Sequence, residues 1–265
     1  MRTLLLSILV LVTITACQPS EQAPADKQQA SAVQVADLNP AAEGFNAAES
    51  DPEAIALADS VMKAMGGRRA WDNTRFIRWN FFGRRQLTWD KVGNKVRIDF
   101  KDQDLMISTD LDRTKGWVIK DGAMVGDIKI SVDWLKKARD IWINDSYWLV
   151  MPFKLKDSGV TLKYLGKDST LDGKMAEVLQ LTFNEVGVTP ENKYKVYIDP
   201  ETHLVNQWAF FEKAEDEEPV WALPWKDYKQ TGEILLSGDR GKAMLSDVQV
   251  IDDLDPDFFN NWSIQ

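Results

Sequence analysis

Side chains able to carry out covalent or metal chemistry are few here, and their types bound what the chain can do. Cys17 is the only cysteine and His203 the only histidine. A single histidine rules out a multi-histidine metal centre, and it allows a nucleophile–base triad only through His203 itself. A single cysteine rules out an internal disulfide and a thiolate zinc site. Carboxylates are abundant, 41 against 32 basic residues. They cluster in loop-like stretches, residues 212–218 and 252–257, where solvated acidic charge serves solubility. A two-carboxylate hydrolase would need an acidic pair facing across a cleft. The run Asp252-Asp253-Leu254-Asp255-Pro256-Asp257 offers the oxygens calcium prefers but lacks the glycine-bearing EF-hand pattern. Asp255-Pro256 equally suits the cap of a short terminal helix carrying Phe258 and Phe259. No phosphate-cradling glycine loop, nucleophile elbow or dinucleotide fingerprint occurs. The expectation is a protein that is not an enzyme and uses no metal or cofactor. Its net charge of −9 argues against nucleic acid and against a polybasic membrane patch.

The chemistry the sequence does offer is apolar contact. Eleven tryptophans, eleven phenylalanines and five tyrosines are many for this length. Ile77, Trp79 and Phe81 share parity on one strand, Leu87 and Trp89 on the next, and Ile98 lies on a third, so hairpin pairing places them on one face. Trp117, Trp208 and Phe210 are assigned to the same inner surface. Trp134, Trp142 and Trp148 lie on a helical stretch opposite. Taken singly, any of these tryptophans is explained by core packing. Together they predict a concave apolar site of ligand-pocket type, open enough for an acyl chain.

The elements that must position these residues follow from the pattern. Residues 133–155 place Trp134, Leu135, Ala138, Ile141 and Trp142 at helical spacing, and Pro152 ends the helix. Before it, Asp51-Pro52-Glu53 opens a helix with the stripe Ile55, Ala58, Val61, Met62 and Met65, closed by Gly66-Gly67. Strands are predicted at 75–82, 85–90, 95–100, 104–109 and 115–120. After the helical element they resume at 160–164, 174–183, 193–198, 203–211, near 221–236, and at 244–250. Asp121-Gly122, Asp172-Gly173 and residues 199–202 read as turns. About eleven strands at short spacing imply a mainly antiparallel sheet in one α+β domain.

Ahead of this domain, residues 4–14 form a short apolar run after Arg2, and Ile14-Thr15-Ala16-Cys17 follows. This resembles a bacterial lipoprotein signal, which implies that residues 1–16 are removed and Cys17 is lipidated. Residues 17–50 then read as the lipidated Cys and a flexible tether, rich in Ala, Gln, Pro and Ser, and 51–265 as the folded domain. The whole arrangement resembles the LolA/LolB lipoprotein-carrier superfamily and outer-membrane lipoprotein-sorting-like proteins. The resemblance rests on residues 58–67, 71–79 and the run Tyr147-Trp148-Leu149-Val150-Met151-Pro152-Phe153-Lys154-Leu155. It implies an incomplete, strongly curved antiparallel β-barrel with helices covering its concave face, and a cavity for acyl chains.

The resulting expectation is a lipid-anchored outer-membrane lipoprotein facing the periplasm, holding a lipid or lipoprotein acyl chain for carriage or sorting. Gln18 after Cys17 points to the outer membrane under the sorting rule the resemblance implies. Expected partners are the acyl ligand, the membrane through the anchor, and another lipoprotein or carrier protein. Three alternatives stay open: a glycan-binding module using tryptophan platforms, a carboxylate-dependent hydrolase, and a structural or assembly-partner lipoprotein whose interior is filled by side chains.

Overall fold

The structure is a computed structural model that describes residues 39–113, 115–184 and 189–260. The chain divides after Ala36, and all described residues lie in the part that follows. The expected signal peptide, Cys17 and the tether up to residue 38 fall outside the described residues.

Residues 39–50, which composition placed in the tether, are tied to the domain. Ala42 N–H donates to Lys156 O and Asn46 N–H to Val160 O, at 2.9 and 3.1 Å. The Ser50 hydroxyl accepts from Leu162 N–H at 3.0 Å. Phe45 packs against the core. A segment poor in apolar residues is thus held by backbone pairing.

Helix α1 (Pro52–Ala64) begins after Asp51, as its proline at the first turn requires. The Asp51 carboxylate does not cap the helix. It accepts from Tyr164 N–H and Lys163 Nζ, each at 3.0 Å. Gly66 and Gly67, at φ +113° and +89°, end α1 and turn the chain into α2 (Arg68–Asn73).

Six strands follow: β1 (Phe76–Phe81), β2 (Arg85–Asp90), β3 (Lys95–Phe100), β4 (Leu105–Asp110), β5 (Gly116–Lys120) and β6 (Ala123–Met124). Helix α3 (Ile128–Val150) continues into a 3-10 turn, Met151–Lys154, which accommodates Pro152. Then come β7 (Val160–Ser169), β8 (Met175–Phe183), β9 (Lys193–Ile198) and β10 (Val205–Phe211). The stretch read near 221–236 resolves into β11 (Trp221–Pro224), β12 (Lys226–Thr231) and β13 (Ile234–Arg240), ahead of β14 (Ala243–Ile251). There are fourteen strands among the described residues, where the sequence pattern suggested about eleven.

All pairings are antiparallel. One sheet has the order β12-β13-β14-β1-β2-β3-β4-β5-β6, the other β11-β10-β9-β8-β7. The chain passes from one sheet to the other between β11 and β12, at the buried Trp225. The sheets do not close into a barrel. They form the open, curved half-barrel expected, with α3 packed on β3, β4, β5 and β13. One continuous apolar core runs from α1 and α2 through the inner faces of both sheets to Leu135, Ala138 and Leu149 of α3.

Candidate binding site: an aromatic seam beside the long helix

Strand register places the predicted inner residues as parity demands. Ile77 pairs with Trp89, Trp79 with Leu87, and Leu87 with Ile98 across the β1–β2–β3 hairpins. With Phe81, these side chains share the face under α3. Trp142 meets Trp89 edge-on at 5.3 Å. Trp134 packs on the same core near the start of α3, with Lys137 Nζ 4.8 Å from its ring. Where the sequence suggested an open space, however, these groups are in mutual contact. Ile77, Trp79, Leu87 and Ile98 are fully buried. The physical reason is size: the aromatics from sheet and helix fill the gap they would otherwise line.

Trp117 does not join them. It pairs with Ser108, on the face of the sheet opposite Ile107 and Val118. There its indole N–H and the Ser108 hydroxyl both donate to Phe259 O at 2.8 Å. Residues 252–257 turn the chain toward that contact, with Asp255 accepting from Asp257 N–H at 2.8 Å, and Phe258 lies under Arg97. Among the described residues, no three His, Cys, Asp or Glu side chains converge to hold a metal. His203 occupies a left-handed turn position between β9 and β10, at φ +58°.

The half-accessible part of the apolar interior lies at the C-terminal end of α3. Trp148 contacts Phe81 and Phe82 on one sheet, at 6.2 and 5.2 Å, and Trp208 and Trp221 on the other, at 5.0 and 5.3 Å. Tyr147, beside it, meets Tyr194 at 5.4 Å and Phe183 at 6.4 Å. Phe210 stacks on Trp221 at 5.2 Å. Trp208 is fully buried at the centre, stacked on Tyr194 at 5.5 Å. The surrounding rings (Phe82, Tyr147, Trp148, Phe183, Tyr194, Phe210 and Trp221) are half-buried. These rings form one contiguous, partly exposed aromatic patch over the core.

Three of the predicted residues, Trp148, Trp208 and Phe210, belong to this seam. Sequence reasoning missed Phe82, Tyr147, Phe183, Tyr194 and Trp221. Tyr147 precedes Trp148 in the run 147–155, so its type is visible in the sequence, but helical spacing gives no reason to aim it at a second sheet. Strict alternation along β1 would turn Phe82 to the face opposite Phe81. At φ +53° in the β1–β2 turn, its ring instead lies 3.9 Å from that of Phe81.

Polar groups frame the seam. Arg85 of β2 donates to Asp145 of α3 through Nε and Nη2, at 2.6 and 2.8 Å, which fastens the helix to the first sheet. Burial pushes the Asp145 carboxyl above its ordinary range, against the pull of Arg85. Burial likewise pushes the Tyr194 phenol up to about 12 and Tyr147 well above its usual value, so both hydroxyls stay protonated. A separate surface hollow of about 480 Å³ lies among Leu111, Asp112, Lys136, Arg139 and Asp140. It is open and lined by charge, and it includes none of the residues above.

Residues 123–254 match a family of unknown function, DUF6503. No curated protein matches the chain. Among solved structures, the chain is similar to a DUF1329 family protein from Desulfovibrio piger, with 14% identity over 79% of this chain and 98% of that one, at a TM-score of 0.44. It is also similar to a LolA superfamily protein from Nitrosomonas europaea, with 12% identity over 76% of this chain and 96% of that one, at a TM-score of 0.37.

Proposed function

We propose that this protein is a cell-envelope lipoprotein that holds a lipid or lipoprotein acyl chain non-covalently, for carriage or sorting in the periplasm. The observation that carries this reading is the aromatic seam: half-buried rings from α3 and both sheets, continuous with the apolar core, offer a chain a surface that water leaves at a gain. Each methylene that moves from water onto such a surface contributes about 0.8 kcal/mol before ordering costs. Because the deeper interior is packed, a bound chain would lie along the seam and pass between α3 and the second sheet by displacing ring contacts. The predicted site residues Ile77, Trp79, Leu87, Trp89 and Ile98 then support that surface from behind. Carriage needs no cofactor. To test the reading, the protein would be isolated from its own envelope, measured intact by native mass spectrometry, and extracted for lipid identification. A stoichiometric acyl lipid is the expected result, and a bare protein in both measurements contradicts it.

The anchoring half of the proposal rests on Cys17 and the signal-like run before it. Among the described residues no helix is long and apolar enough to cross a membrane, and an acylated Cys17 would supply the attachment. Cys17→Ala should end palmitate labelling and detergent-phase partitioning. Continued labelling of that variant would overturn the anchor.

The filled interior favours a second reading, a structural or assembly-partner lipoprotein with no ligand. The two readings divide on whether the isolated domain binds any acyl probe.

A further inference from the structure

Beneath the seam, the interior holds polar groups of one kind. The buried side-chain atoms without a hydrogen-bond partner among the described residues are the indole N–H groups of Trp79, Trp89, Trp142, Trp208 and Trp225, the Tyr147 hydroxyl, Arg240 Nε and one acceptor, Asn206 Oδ1. Apart from Asn206, every one can donate. A buried unmade hydrogen bond is costly, and native interiors rarely leave one without a purpose.

Four of these donors sit on residues that are in contact through their rings. Trp208 lies 6.3 Å from Tyr147 and 5.2 Å from Trp225, centroid to centroid. The Arg240 guanidinium lies 3.3 Å from the centroid of the Trp225 ring. Arg240 is itself 0% exposed. Its hydrogen bonds go only to neutral oxygens: Ser237 Oγ, Ser237 O, Asp239 O and Trp148 O, at 2.7–2.9 Å. The neighbouring Asp239 carboxylate accepts from Gly241 N–H at 2.6 Å and makes no ion pair with it. A cation in this position, with no direct ion pair, is held at a desolvation cost that neutral carbonyls and a ring face offset only in part. Burial accordingly draws the Arg240 guanidinium down to about 9.

We propose that Tyr147, Trp208, Trp225 and Arg240 form a head-group site that takes the anionic oxygens of a carboxylate or phosphate carried on an acyl chain. This deepens the acyl-chain reading above and rests on it. A ligand that satisfies these four donors must bring acceptors, and one that neutralises Arg240 must bring negative charge. The head therefore points inward and the chain lies outward along the half-buried rings. An alcohol supplies one weak acceptor, and an alkylammonium supplies none.

The test is a displacement titration of a bound fluorescent fatty acid, using palmitate, hexadecyl phosphate, hexadecanol, hexadecyltrimethylammonium and inorganic phosphate as competitors. Palmitate and hexadecyl phosphate should compete about tenfold or more better than hexadecanol, as hydrogen bonds to a charged group imply. The ammonium and free inorganic phosphate should not compete. Tyr147→Phe removes one donor with little change of volume, and Trp225→Phe removes one donor while keeping an aromatic ring. They should weaken palmitate about tenfold and hexadecanol much less. Arg240 itself is a poor choice, because its bonds hold Trp148 and β13 in place. Equal affinity for palmitate and hexadecanol, or equal loss of both in the variants, would overturn the head-group site while the acyl-chain reading stands. Competition by inorganic phosphate would make it a free-anion site instead. A parent that binds no fluorescent fatty acid would overturn the acyl-chain reading, and this site with it.

Discussion

Trp79→Asp is expected to unfold the domain. Trp79 is 0% exposed, pairs with Leu87 across β1 and β2, and belongs to the core that joins α1, both sheets and α3. Truncating a buried tryptophan costs about 3–5 kcal/mol, and an unpaired buried carboxylate adds several more. The sum rivals the whole stability of a typical domain, about 5–15 kcal/mol. Circular dichroism at 25 °C should show loss of the native signal, and the variant should collect in the insoluble fraction on expression. A folded Trp79→Asp protein with weakened ligand affinity would show that Trp79 lines open space after all.

Removing Asp145 should cost about 3–5 kcal/mol, because it leaves Arg85 without the partner that its bidentate geometry is built around. The Asp145 side chain is fully buried and that of Arg85 is 17% exposed, so solvent screens this pair little. The paired replacement Arg85→Met with Asp145→Leu should recover most of the loss, since desolvating both charges costs nearly what their attraction returns. Urea denaturation of the parent, Asp145→Ala and the double variant measures both effects. The pH dependence has a definite sign. The folded-state pKa of Asp145 lies above its ordinary value of 3.8, so the folded protein binds the proton more tightly than the unfolded chain. Lowering the pH from 7 toward about 4 should therefore widen the gap between parent and Asp145→Ala. A gap that narrows over that range would mean that the ionised pair dominates.

Much of the architecture was legible because the pattern carried its own register. On β1, β2 and β3, alternation and short turns fixed which side chains face α3, and Ile77, Trp79, Leu87 and Ile98 lie as parity required. The helix start was less legible. Helix α3 begins at Ile128, where the Asp127 side chain accepts from Ile130 N–H at 3.0 Å. Ile128 and Ile130 are exposed there, so the first turn has no apolar stripe to read. Trp117 was misplaced because its cover, Phe259, comes from 142 positions further along the chain, and no local pattern reports such a partner. Most of the seam escaped for a related reason. Tyr194, Phe183 and Trp221 become neighbours of Tyr147 and Trp148 only when the second sheet meets α3. Strand parity orders residues within a sheet and says nothing of how two sheets approach one helix.

The central claim is that the aromatic seam binds an acyl chain, and a fluorescent fatty-acid titration tests it most directly. The parent would be compared with Trp221→Ser and with Phe210→Ser. Both rings are half-buried at the edge of the seam, so each variant should keep its fold, as circular dichroism would check. The account predicts saturable binding to the parent and affinity lower by about tenfold in each variant, from the apolar contact removed. Saturable binding of equal strength in parent and both folded variants would place the ligand elsewhere. No binding to the parent at all would contradict the carrier reading and leave the filled interior as structure.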